Sequence, residues 1–228
     1  MDWTLRATVN GQLPDARLLP DHGKAFIGIS VGSLVANSDP ALRLIFDWTR
    51  TNVGRFDVFI GDYLNRHNHQ AFDGLSEAMA IQRTKAEGKR SMERIANLMG
   101  ASDPNGGRVL SSSSFYHVSG FGERLAYFKG QYASHACFKG FIDEAVSTFL
   151  ARKRNAKVDD AILEHCVDYQ LEELVLFEQM LEEGYRTLVY PGAHLPVMKG
   201  FVAGTLPGVA PKLEKYTLVE LRAHKAAR

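Results

Sequence analysis

The sequence predicts an α/β protein built on a mainly parallel sheet with helices on both faces. Three observations carry that expectation. Several short runs are apolar throughout, the pattern of strands buried on both sides and not of half-exposed ones. These runs alternate with longer segments of helical period. The composition, 45% apolar, 23% charged and 10% aromatic over 228 residues, is that of a folded globular chain and suits one domain over residues 1–228.

Lys24 to Ile29 reads as a buried strand. Asp39 to Thr51 reads as a helix, with Asp39 at the cap and Pro40 in the first turn. Phe56 to Ile60 is a second apolar strand, closed by Gly61-Asp62. Leu75 to Met99 is a long helix, and Gly120 to Leu150 holds two more. Asp159 to Glu183 is a helix capped by Asp159 or Asp160 and stopped at Gly184. Thr187 to Tyr190 is a strand broken by Pro191-Gly192, and Ala101 to Gly107 and Gly200 to Pro211 read as loops. Ligands of such sheets sit beyond the carboxyl ends of the strands, so functional residues are expected just after Ile29, Ile60 and Val189.

Composition excludes some functions. A net charge of +1 rules out a global basic field, so contact with nucleic acid needs a local patch. Two cysteines, Cys137 and Cys166, are too few for a disulfide framework and read as buried thiols. No apolar run reaches 18 residues, and the first 19 carry Asp2, Arg6, Asp15 and Arg17 instead of an apolar leader, so a cytoplasmic protein without a membrane partner is expected. The eight histidines are scattered, His67 and His69 stand two apart, and no Cys-x-x-Cys exists; no metal site is expected.

Gly28-Ile29-Ser30-Val31-Gly32 matches the G-x-S-x-G pattern of a serine on a sharp turn out of a strand, although a structural turn reads the same way. Tyr169 and Glu173 stand four apart on a helix and project side by side, among Leu174, Leu176, Phe177 and Met180. If that face is buried, the Glu173 carboxyl rises toward a value useful for proton transfer. Alternatively Glu172 and Glu173 are solvated charges of an acidic helix. Tyr190 places a phenol at a strand end, or is a packed aromatic before a turn.

In this order and spacing the pieces resemble the cyclodipeptide synthase family. The resemblance covers roughly residues 20 to 205: Phe26-Ile27-Gly28-Ile29-Ser30, then Gly61-Asp62-Tyr63-Leu64-Asn65-Arg66-His67-Asn68, the pair Tyr169 and Glu173, and Tyr190. The family's larger subgroup has an asparagine three residues after the serine and a histidine after the last tyrosine. Here those positions are Ser33 and Pro191, which looks like the second, Tyr-Pro subgroup.

The resemblance implies a Rossmann-like fold similar to the catalytic core of class I aminoacyl-tRNA synthetases. It implies a 2,5-diketopiperazine made from two aminoacyl-tRNAs, used one after the other through aminoacyl- and dipeptidyl-serine intermediates. Ser30 would be the nucleophile and Tyr190 would orient it and relay its proton. Glu173 would shuttle protons, Tyr169 would hold the amino group, and the second aminoacyl-tRNA would donate its amino group to the acyl-serine. The ester is already activated, so no ATP or metal cofactor is implied. Phe26, Gly28, Ser33, Leu176 and Leu188 would line the first aminoacyl pocket, though they are also good core residues. The chain is expected to be a monomer without an obligate protein partner.

Two basic clusters would meet tRNA phosphates. One is Arg83, Lys85, Lys89, Arg90 and Arg94 on the long helix, offset by Glu77, Glu87 and Glu93 to a net +2; the other is Arg152, Lys153 and Arg154. Asp62, Arg66 and His67 read as a hydrogen-bond network supporting the serine turn. Two other classes fit parts of the sequence. A serine hydrolase would use Ser30 with a histidine and an acid, and a nucleotide-binding protein would cradle phosphate on Gly28 and Gly32, although Ser30 replaces the second glycine of that fingerprint.

Overall fold

The computed structural model describes residues 3–13, 23–31, 38–100, 107–153 and 158–225. Six strands form one sheet in the order β1-β6-β5-β2-β3-β4. The elements in chain order are β1 (Trp3–Val9), β2 (Lys24–Ile29), α1 (Asp39–Asn52), β3 (Phe56–Ile60), α2 (Asn65–Asp73), α3 (Glu77–Gly100) and β4 (Val109–Ser111). There follow α4 (Phe121–Ser134), α5 (Ala136–Arg152), α6 (Asp160–Glu182), β5 (Tyr185–Tyr190), α7 (Pro196–Val202) and β6 (Thr217–Lys225). Strands β2 to β6 run parallel, and β1 pairs antiparallel with β6.

The apolar strands are buried on both faces, as their composition requires. Ala25, Ile27 and Ile29 of β2 pack with Val58 and Ile60 of β3 against Leu42, Ile45 and Phe46 of α1 and Ile95 and Leu98 of α3. Phe26 and Phe59 point the other way, into a cluster with Leu174, Phe177, Phe128, Phe138 and Phe201 from α6, α4, α5 and α7. Because side chains alternate across a strand, Gly28 and Ser30 share the face of Phe26. The serine is thereby directed toward the α6 layer.

Some boundaries differ from the sequence reading. Ser38, not Asp39, is the N-cap of α1, which puts Pro40 within its first turn, where no donor is lost. Asp159 caps α6, its carboxylate accepting from the Ile162 N–H, and Gly184 follows the helix at φ 90°, a left-handed conformation natural to glycine. The edge strand β1, its neighbour β6, the short helices α2 and α7, and the opposite edge strand β4 were not anticipated. Residues 200–211 belong partly to α7 and partly to turns, and of the loop expected at 101–107 only Gly107 lies within the described residues.

The amino and carboxyl ends of the sheet differ in character. At the amino end Asp57 of β3 accepts from the Arg108 backbone and guanidinium and from the buried Tyr185 hydroxyl of β5, a clamp across three strands' ends. At the carboxyl end β2 and β5 lie side by side as parallel neighbours, yet chain order runs outward from β2 in one direction and from β5 in the other. A crevice opens at such a switch point. Ser30 and Tyr190 stand at its two lips.

Candidate active site

Four side chains meet at this crevice. The Ser30 and Tyr169 hydroxyls share a hydrogen bond, and Tyr169, Glu173 and Tyr190 are close enough for each phenol to feel the carboxylate. All four are half-buried, whereas Leu174, Leu176 and Leu188 around them are fully enclosed. The Tyr169 hydroxyl comes within 4.0 Å of where a Cβ would stand on Gly61, at the end of β3. Gly28 does the corresponding work on β2: a Cβ there would stand 3.4 Å from Cδ2 of Tyr190 and 3.5 Å from Cδ1 of Leu188, so the phenol lies flat over bare backbone.

The environment drives two adjacent carboxylates of α6 apart. Among the described residues no cation holds the Glu173 carboxyl down, and withdrawal from water pushes it up to about 8. Burial and the same carboxylate push the Tyr169 and Tyr190 phenols upward, so both stay protonated donors. Glu172, one residue earlier, faces α2. It is buried too, but His67 and Arg66 outweigh that burial and hold its carboxyl down at about 2. Arg66 Nη2 donates to both its oxygens at 2.6 and 2.8 Å, the Tyr116 hydroxyl donates at 2.6 Å, and His67 Nε2 lies 3.2 Å away. At neutral pH the Glu173 carboxyl is therefore mostly protonated and its neighbour Glu172 ionised.

Neither glutamate is therefore a solvated charge. Asp62, Arg66 and His67 were expected to support the serine turn; among the described residues their bonds go to the end of β4 and to α6. Asp62 accepts from Ser111 and from the backbone and hydroxyl of Ser112 at the end of β4. It is pressed so closely on α3 that a Cβ on Gly88 would stand 2.4 Å from its Oδ2. Arg66, stacked over the rings of Tyr63 at 4.3 Å and Tyr116 at 5.1 Å, and His67 fasten α6. Sequence reasoning missed Tyr116 and the partnership of Arg66 with Glu172, which lie 50 and 106 residues from Arg66. A buried acid demands a base, but the sequence does not say which one.

Of the expected pocket residues, Gly28 and Leu188 adjoin the Tyr190 ring, and Leu188 and Leu176 are wholly buried. Phe26 lies deeper, its ring edge-on to Phe59, Tyr185 and Tyr216, and is a core residue. Ser33 and Arg154 lie outside the described residues. Arg83, Lys85, Lys89, Arg90 and Arg94 are all exposed on α3. Three of them are tied by carboxylates: Arg83 to Asp73 at 3.1 Å and Glu87 at 3.2 Å, Arg94 Nε to Asp39 at 2.8 Å, and Lys89 more loosely to Glu93 at 4.0 Å. Arg152 is exposed at the end of α5 and lowers the Tyr190 phenol, which places its charge toward the crevice. Lys153 lies over the rings of Phe72 and Phe149. Cys166 is buried, but Cys137 is exposed, against expectation. Among the described residues no three His, Cys, Asp or Glu side chains converge as metal ligands, and no helix is long and apolar enough to cross a membrane.

The family model of cyclodipeptide synthases matches residues 16–200, which spans β2 through α7 and all four crevice residues. The chain belongs to the cyclodipeptide synthase family. It is thereby an enzyme of the tRNA-dependent, peptide-bond-forming aminoacyltransferase class. Solved structures share its fold. A cyclodipeptide synthase from Fluoribacter dumoffii superposes with a TM-score of 0.82 at 18% identity, covering 98% of this chain and 100% of that one. The synthase from Candidatus Glomeribacter gigasporarum bound to Phe-tRNAPhe gives 0.68 at 19% identity, covering 90% and 89%. A Mycobacterium tuberculosis protein described as relating cyclodipeptide synthetases to type I tRNA synthetases gives 0.69 at 21%, covering 89% and 86%. No curated protein matches the sequence.

Proposed function

We propose that this cyclodipeptide synthase joins the amino acids of two aminoacyl-tRNAs into a 2,5-diketopiperazine by a ping-pong route through Ser30. One observation carries the reading: a half-buried serine hydroxyl, hydrogen-bonded to Tyr169, stands in a crevice with a carboxyl raised to about 8. That value lies close to the ordinary α-amino range of about 7.7–8.0, so a proton passes between Glu173 and a substrate amine at little cost.

In the first step Ser30 Oγ attacks the ester carbonyl carbon, its proton passing through Tyr190 to the departing ribose oxygen of the first tRNA. The second step has a direction fixed by atom balance. If the second substrate's amine attacked the acyl-serine, the dipeptide would leave on tRNA. A dipeptidyl-serine requires the reverse of that expectation: the amine already on Ser30 gives its proton to Glu173 and attacks the second ester, expelling the second tRNA. The new terminal amine then attacks the serine ester, closing the six-membered ring and returning the hydroxyl. Tyr169 holds the amino group in each step.

On this reading residues 1–228 form one synthase domain of the Tyr-Pro subgroup. The exposed cations of α3 and Arg152, with Lys153 and Arg154, face the two tRNAs. The pocket of Gly28, Leu176, Leu188 and Ser33 takes the first side chain. The enzyme works as a cytoplasmic monomer without ATP or metal, since the ester supplies the driving force. A serine hydrolase is the weaker reading, because the groups at Ser30 are a phenol and a carboxyl raised to about 8, unlike a histidine held by an ionised acid. The test is acid-quenched incubation with a labelled aminoacyl-tRNA: label stays on wild-type protein and is lost in Ser30→Ala. Undiminished cyclic dipeptide from Ser30→Ala would sink the covalent route.

A further inference from the structure

The turn after β5 holds a buried imidazole that the scheme above does not use. His194 is 6% exposed, and its ring packs against that of Tyr190 with centroids 5.7 Å apart and planes tilted by 39°. Its Nε2 lies 3.1 Å from the carbonyl oxygen of Val219 in β6, so that nitrogen carries the proton and donates it. The His194 backbone N–H donates to Glu220 Oε1 at 3.1 Å. Glu220 is itself buried and receives Lys199 Nζ of α7 at 2.5 Å and Arg222 at 3.1 Å. This side chain and its backbone are therefore fastened to β6 at two points.

Besides the Tyr169 and Glu173 side chains of the crevice, Tyr190 also lies against bare backbone. A Cβ on Gly28 would stand 3.4 Å from Cδ2 of the ring, and one on Gly192 would stand 3.9 Å from Cδ1 and Cε1. Two glycines thus leave part of the phenol ring without side-chain packing, and among the described residues the aromatic ring packed against it is that of His194. Glycine backbone does not hold a ring by packing on its own, so the imidazole is placed to fix its rotamer.

We propose that His194 is a positioning residue, holding the Tyr190 phenol over the crevice from a seat on β6. The inference rests on the reading of Tyr190 as the group that orients Ser30. Burial holds the imidazole down at about 4, with Lys199 adding to that effect and Glu220 opposing it. His194 is accordingly neutral wherever the enzyme works, and acts by shape and by its one hydrogen bond. It is not an acid or base of the reaction.

Three variants test this. His194→Ala removes ring and donor, His194→Phe keeps the ring, and His194→Gln keeps a donor toward Val219. The expected result is a fall in kcat of about 10²-fold for His194→Ala with KM for aminoacyl-tRNA unchanged, the scale of a misplacement of about 1 Å. His194→Phe should recover most of that loss, and His194→Gln should recover thermal stability but not rate. In a Tyr190→Phe background, His194→Ala should cost nothing further; the same loss in both backgrounds would mean a merely structural role. A second readout needs no turnover. With ring-labelled tyrosine, the Tyr190 NMR signals should shift and sharpen in His194→Ala as the ring gains freedom, and an unmoved Tyr190 signal overturns the proposal. If wild-type protein makes no cyclic dipeptide, the functional reading fails while this measurement still judges His194.

Discussion

Glu172 and Glu173 share a backbone and almost nothing else. The folded Glu173 carboxyl sits at about 8 against an ordinary 4.5, so between those values the folded chain keeps a proton that the unfolded chain has lost. Raising pH through that window therefore destabilises the fold, by on the order of a few kcal/mol. Glu173→Gln should abolish the slope, melting above wild type at pH 9 and level with it near pH 4, while cyclic dipeptide formation falls about 10²- to 10⁴-fold. Equal melting at pH 9 would show that the carboxyl is not held protonated. Glu172 behaves with opposite sign. Its folded value of about 2 lies below 4.5, so its contribution is present above pH 4.5 and is lost as pH falls toward 2. Glu172→Gln leaves Arg66 buried without its counter-charge and should cost about 3–5 kcal/mol at pH 7, read from denaturant unfolding. The sequence offered the pair at one spacing and suggested that Glu172 faced water. The periodicity of α6 locates a face, but a partner 106 residues away is invisible to periodicity.

At the scale of elements, α6 is the part that the sequence describes best. A capping aspartate, a long apolar period and a terminating glycine are all local, and all hold. The long helix α3 is more mixed. Its length was legible, but the use of its cations was not, because Asp39 and Asp73, which neutralise Arg94 and Arg83, lie on α1 and α2. That pairing leaves Lys85, Arg90 and Lys89, the last held only loosely by Glu93 at 4.0 Å, as the cations of α3 best placed for RNA. Reversing those three charges should weaken tRNA binding and flatten the dependence of log affinity on log salt by about 0.9 per lost duplex contact. An unchanged slope in a filter-binding titration would remove α3 from the docking surface.

The whole molecule is a parallel core with one antiparallel addition. Strands β2, β3 and β5 were legible because burial on both faces leaves them continuously apolar. The β1–β6 pair was not, since Arg6, Glu220, Arg222 and His224 interrupt their apolar positions and half of β1 faces outward. Yet β6 carries the carbonyl and carboxylate that hold His194, and β1 covers its outer edge. Deleting residues 1–10 should expose that edge to intermolecular pairing. The expected outcome is a melting temperature lower by about 5–15 °C, for a loss of a few kcal/mol, with aggregation on light scattering. A truncated chain that melts like the full one would make β1 dispensable.

The bare floor beneath Tyr190 has a further consequence for how this enzyme can diversify. Gly28 contributes no side chain, and any replacement adds atoms within van der Waals reach of both Tyr190 and Leu188. Substitution there runs in one direction only, toward a shallower chamber and a displaced phenol. Leu188 and Leu176, both wholly buried, are by contrast side chains that can change in size. On the proposed reading of this crevice as the first aminoacyl pocket, variation in the accepted side chain is channelled into the walls, and the floor stays at the smallest residue there is.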